Sequence, residues 1–229
     1  MKPLEYDARA LDPKRVYSDV MSSGVAVIHG VMPEAVATSA AHAAMEWTKT
    51  EPAFDTKGGT ASPAPGQNLH RVDNDPALSK TKHIFHTFNF ENLNGLPSPY
   101  REPIVQMFER LLALDNELCG KRGDFTGNGI PNFRPQIIHY PVGGGYFERH
   151  THNLEPQKIG LIATLVKTGS GGTKFWVNGD EIDAEPAQSI GSVTLFRFDL
   201  PHSVSAVEPG SPLAFGEATG RWVAVLPYR

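Results

Sequence analysis

The chain has 229 residues, with 21 Lys+Arg against 25 Asp+Glu and a formal net charge of −4. That length suits one mixed domain, and the mild acidity argues against a general nucleic-acid binder, whose surface carries a basic stripe. Hydrophobic residues at 40% and charged residues at 20% indicate neither a disordered tail nor a membrane protein. The single cysteine, Cys119, excludes a disulfide framework and any cysteine-rich metal site, leaving nine histidines as the main supply of nitrogen ligands.

No segment approaches the roughly 18 consecutive apolar residues of a membrane span, and the charged first 16 residues lack the apolar run of a signal peptide. The expectation is a soluble protein of the reducing cytoplasm. Asp12 or Pro13 opens a short helix that runs to Met21, and residues 24–28 follow as a buried strand. Pro33 suits a first helical position, and Val36, Ala40, Ala43 and Trp47 recur at helical spacing. Residues 51–68, rich in proline and paired glycines, predict a long binding loop or lid. A strand over 83–90 and a helix over 103–118 complete the first half, with Cys119 a small buried residue at the helix end.

From Phe133 the pattern changes to short apolar runs between Gly, Pro and Asp turns. Strands are expected at 136–140, 146–150, 159–166, 174–177, 192–198, 202–207 and 221–226. Helices early and strands late give an α+β class, and this strand spacing indicates a sandwich or barrel rather than a parallel sheet. Asp124, Asn128 and Asn132 lie in a Gly-rich stretch and have turn chemistry, not that of a calcium site.

The chemistry-bearing stretch is Gly143-Gly144-Gly145-Tyr146-Phe147-Glu148-Arg149-His150-Thr151-His152-Asn153. Side chains two apart on a strand share a face, so His150 and His152 project together and can chelate one ion. His202 follows the strand-like run Phe198-Asp199-Leu200-Pro201 and is the third candidate ligand. Imidazole suits Fe, Zn, Cu and Ni, and three nitrogens on one side leave positions open for substrate and oxygen. Such a set has the form of a catalytic metal centre.

With those residues in place, the stretch from Arg134 to Tyr228 resembles the double-stranded β-helix core of the Fe(II)/2-oxoglutarate-dependent oxygenases. Residues 136–140, the glycines and Tyr146-Phe147 are similar to that family's first core strand and turn. His150-Thr151-His152 stands at its His-x-Asp/Glu position, Gly171-Gly172-Thr173-Lys174-Phe175 at its Gly-Gly strand, and His202 at its distal histidine. The resemblance implies a jelly-roll core with N-terminal helices packed on one sheet. It also implies one oxygenase domain over 1–229, with a helical and mixed part over 1–132 and the β-helix over 133–229. The implied centre is Fe(II) on His150, His152 and His202, with 2-oxoglutarate as cosubstrate and O2 as oxidant. Arg221 would hold the distal carboxylate, and Tyr140 would donate a hydroxyl to it. His152 departs from the family pattern, because a neutral imidazole replaces the usual carboxylate and leaves the ion one unit more positive.

Arg71, His83, His86 and Glu148 are candidate substrate contacts. His83 and His86, three apart on a strand, face opposite sides, so at most one of them joins the site. Glu148 shares the face of His150 by alternation, where it would bind an amine, orient a ligand or form a rim ion pair. Trp222 should point away from Arg221, into the core. The functional expectation is oxidation, foremost hydroxylation, of a small polar molecule such as an amino acid or natural-product intermediate. Two alternatives stand beside it: a three-histidine cupin-type dioxygenase that uses no keto acid, and a non-catalytic small-molecule-binding module.

Overall fold

A computed structural model describes residues 1–54, 66–78, 80–125, 130 and 132–228. Most of the expected 51–68 loop, and Asn128 of the Gly-rich stretch, lie outside the described residues.

In chain order the elements are β1 (Leu4–Asp7), α1 (Pro13–Ser23), β2 (Val25–His29), α2 (Glu34–Trp47), β3 (Leu69–Asp73), β4 (His83–Asn89) and α3 (Ser98–Cys119). There follow β5 (Gln136–Tyr140), β6 (Gly145–His150), β7 (Ile159–Lys167), β8 (Thr173–Val177), β9 (Asp180–Asp183), β10 (Val193–Arg197), β11 (His202–Val207) and β12 (Arg221–Val225). The strands join in the order β1-β2-β10-β7-β12-β5-β4-β6-β11-β8-β9, with β3 on the side of β4. Strand β4 turns the corner. Its His86–Asn89 end pairs with β5, while His83 and Ile84 pair with β6, so one continuous sheet curls into two facing halves. This is the double-stranded β-helix, with α+β content as expected.

Alternation along the larger half explains its two cores. On β7 Ile159, Leu161, Ala163 and Leu165 join Trp222 and Ala224 of β12 in packing against α1, α2 and α3. The opposite face carries Ile162 and Val223, which meet Phe175, Val204 and Val207 from the smaller half inside the barrel. A strand buried on both faces reads as a continuous apolar run, which is why β7 carries no polar alternation. Helix α1 starts where Asp12 accepts hydrogen bonds from the backbone N–H groups of Lys14 and Arg15 at 3.1 and 3.2 Å. It ends at Gly24, whose φ of 95° suits a residue without a side chain.

The structure adds three strands to those expected: β1, β3 and β9. Each is four or five residues long and lies at a sheet edge, where pairing rather than apolar pattern supports it. Helix α3 begins at Ser98, earlier than its periodicity indicated. Pro99 occupies its first turn, where a missing N–H costs nothing, and the helix continues through Pro103.

Candidate metal centre

His150 closes β6 and His202 opens β11, and the two are directly paired across the antiparallel ladder. A register shift between His202 and Val204 places Phe147, three residues before His150, opposite Val204. That bulge breaks alternation, so Phe147 and His150 both face the cavity and stack at 3.9 Å between ring centroids. His152 lies two residues past the strand and stacks on Phe198 at 4.6 Å. The three rings offer one nitrogen each, and these atoms all lie within 4.8 Å of one another. Tetrahedral or octahedral ligands at about 2.1 Å from one ion are separated by roughly 3–3.5 Å, so small ring rotations close the set.

The tautomers are set from outside. His150 Nδ1 lies 2.9 Å from the Glu148 carbonyl and His202 Nδ1 lies 2.9 Å from the Leu200 carbonyl. A carbonyl only accepts, so each Nδ1 carries the proton and each Nε2 keeps a bare lone pair for a metal. Burial drives all three rings toward the neutral form, His202 down to about 3 and His152 to about 4, with His150 also lowered. Among the described residues no carboxylate joins the group. A borderline-soft or redox-active divalent ion fits this all-imidazole donor set.

Behind the histidines a cavity of about 210 Å³ extends into the barrel, lined among others by Tyr140, Thr173, Ile162, Phe196, Phe198 and Val223. Its wall depends on Gly160, where a Cβ would overlap the Phe196 ring packed 4.8 Å from His202. Arg221 lies just behind that wall, 1% exposed. Its Nη2 donates to Thr173 Oγ1 at 3.0 Å and to Gln188 Oε1 at 2.6 Å, and its Nη1 donates to Glu185. Its Nε–H is buried with no partner. Tyr140 sits beside Arg221 in cross-strand register, and its hydroxyl makes no hydrogen bond among the described residues. An orphaned guanidinium N–H next to two hydroxyls is a fit for a carboxylate at this end of the cavity.

The remaining candidates divide. His83 is buried beside the centre, flat on Phe85 at 4.0 Å and edge-on to Phe147. His86 points to the other face of β4, as their spacing required. There its Nε2 meets His70 Nδ1 at 2.8 Å, in a cluster that also stacks on Phe88. Arg71 is held by Asp73 at 2.7 Å, the same carboxylate that lies 3.7 Å from His83. The bulge turns Glu148 outward, where its carboxylate accepts from the backbone N–H of Lys82 at 3.1 Å. Its carbonyl, not its carboxylate, faces His150. Trp222 packs away from Arg221 against His139 at 4.2 Å, and Trp176 lies under the Arg149 guanidinium. Reasoning from sequence missed Lys167, Thr173, Glu185 and Gln188 around Arg221. Their only signal is cross-strand and turn pairing, which is not written in linear spacing.

No family model matches the chain, and no curated protein matches it in sequence. Solved structures do match it. A prolyl-4-hydroxylase from Pseudomonas putida superposes with a TM-score of 0.57 at 14% identity, covering 95% of this chain and 98% of that one. The Arabidopsis thaliana dioxygenase for auxin oxidation, in complex with 2-oxoglutarate, gives 0.58 at 12% identity over 99% and 91%. An oxidoreductase of the 2OG-Fe(II) oxygenase family from Burkholderia pseudomallei gives 0.53 at 12% identity over 99% and 94%. The fold is therefore that of the 2-oxoglutarate-Fe(II) oxygenases, with a histidine triad at the mouth of the barrel. Among the described residues no helix is long and apolar enough to cross a membrane.

Proposed function

We propose that this chain is a non-haem iron oxygenase that couples decarboxylation of 2-oxoglutarate to oxidation, foremost hydroxylation, of a small polar substrate. The observation that carries the reading is the convergence of three neutral imidazole nitrogens within 4.8 Å at the mouth of a cavity lined by Tyr140 and Thr173, with Arg221 behind that wall donating to Thr173. Fe(II) bound there with the keto acid would supply the oxidising chemistry. The chain's own part is positional. His150, His152 and His202 hold the ion on one side and leave the other side open. The Tyr140 hydroxyl and the Arg221 Nε–H donate to the distal carboxylate. Phe147, Phe196 and Phe198 keep water from the reacting carbon, which strengthens every polar contact within. His83 and Arg71, near the mouth, are candidates to orient the substrate.

One observation favours a second reading. The terminal nitrogens of Arg221 are already engaged by Glu185, Gln188 and Thr173, so a three-histidine dioxygenase that uses no keto acid would need no rearrangement there. Anaerobic addition of Fe(II) and 2-oxoglutarate separates the two. The first reading expects a visible charge-transfer band and, on admission of air with substrate, one succinate per product. Retained iron with no band and no succinate would leave the second.

A further inference from the structure

Lys167, Arg221 and Tyr140 form one row across β7, β12 and β5, each directly opposite the next. Two cations placed opposite each other on adjacent strands repel, and here Arg221 is buried while Lys167 is partly so. Glu185, in the turn after β9, lies between them. One of its carboxylate oxygens takes Arg221 Nη1, and the other is 3.2 Å from Lys167 Nζ. Lys167 is further tied to the carbonyls of Glu185 and Gln188 at 2.7 and 3.0 Å. These three side chains hold two positive charges and one negative beside the Tyr140 and Thr173 hydroxyls, with the exposed Asp183 carboxylate, which accepts from the Glu185 backbone N–H at 3.0 Å, a weaker second anion acting on Arg221. Had Lys167 been neutral, the Arg221–Glu185 pair would largely cancel and only the free Nε–H and the hydroxyls would draw an anion to this end of the barrel.

We propose that Glu185 and Lys167 set the charge of the carboxylate-binding end of the cavity, Glu185 weakening and Lys167 restoring the hold of Arg221 on one distal carboxylate; this rests on the 2-oxoglutarate reading. Lys167 acts without touching the ligand, through the anion it shares with Arg221. Glu185 is a built-in competitor: an incoming carboxylate must share the guanidinium with it, using the free Nε–H. The site accordingly selects a keto acid with one distal carboxylate and binds it more loosely than an uncompensated arginine would.

The test is calorimetric titration of 2-oxoglutarate into Zn(II)-loaded protein, which binds without turnover, with pyruvate as a keto acid that lacks the distal carboxylate. Glu185→Gln should tighten 2-oxoglutarate by about tenfold and Lys167→Gln should weaken it by about tenfold, each the scale of one partly screened charge. Pyruvate should respond to neither variant by more than about twofold on the same scale. Thermal melts establish that each variant is folded, and if Glu185→Gln is not, the Lys167→Gln arm decides alone. Unchanged 2-oxoglutarate affinity in folded variants, or equal shifts for pyruvate, would overturn the proposal while leaving the cosubstrate reading intact. Metal-loaded wild type and variants that all fail to bind 2-oxoglutarate would overturn both.

Discussion

His152 is the residue on which the chemistry of the centre turns. A carboxylate there would neutralise one charge of a divalent ion, whereas an imidazole leaves both for an incoming anion. On the proposed reading, His202→Ala removes the most buried of the three candidate ligands and should lower retained iron to a trace, read by metal analysis after desalting; comparable loss of an outer ligand-orienting contact costs about 10–100-fold in affinity. His152→Asp should keep or raise iron retention. Retention undiminished by His202→Ala would remove the triad from the role. Arg221→Ala should abolish the charge-transfer band at ordinary 2-oxoglutarate levels. It also strips Glu185 of its main partner, and because Lys167 still serves that carboxylate the cost belongs at the lower end for a broken buried pair, about 3 kcal/mol by denaturant unfolding.

At the level of the element, local signals and pairing signals separate cleanly. Helix α1 was legible because its cap, Asp12, its Pro13 and its terminal Gly24 are all local. Asp12→Ala should lower the urea midpoint by the equivalent of about 1 kcal/mol with an unchanged m-value and unchanged iron content, since the cap lies on the helical side of the sheet. The seven core strands were legible for a similar reason, each being a short apolar run between turn residues. The edge strands β1, β3 and β9 were not, because their backbones are held by a neighbour and their side chains stay half in water. Glu148 shows the limit of strand periodicity. One bulge in β6 reversed its expected direction and left its carbonyl, which no sequence pattern reports, to orient His150.

Across the whole molecule, acid should be the sharpest stress. His86 and His139 are buried on the helix-facing side of the sheet, and burial lowers them from 6.5 to about 3 and about 4. His70 and His139 push His86 further down and Asp73 pulls it up, while the Thr219 carbonyl pulls His139 up. Both rings stay neutral in the folded chain and take a proton near pH 6.5 once unfolded. The unfolded state therefore binds more protons below that pH, and stability must fall as pH drops from 6.5 toward 3–4. At pH 5 these two should account for about 2–4 kcal/mol of lost stability relative to pH 7.5, added to the share of His152 and His202, which burial lowers likewise, as read by urea unfolding of metal-free protein. His139→Gln should flatten that slope. An equal slope in the variant would move the cause elsewhere.

The order of helices and strands, a sandwich or barrel core and the three histidines follow from residues read in line, because periodicity, turn chemistry and ligand type are properties of short segments; the β-helix and the part given to Arg221 came from the family resemblance. Tertiary structure alone decided what each guanidinium and ring touches. It placed Lys167 opposite Arg221, set Glu185 between them, sent His83 to the centre and His86 to the far face, and turned Glu148 outward. The reason is physical: register, bulges and desolvation exist only between segments that are distant in the chain, and the charge left at the floor of the cavity is the sum of groups that only folding brings together.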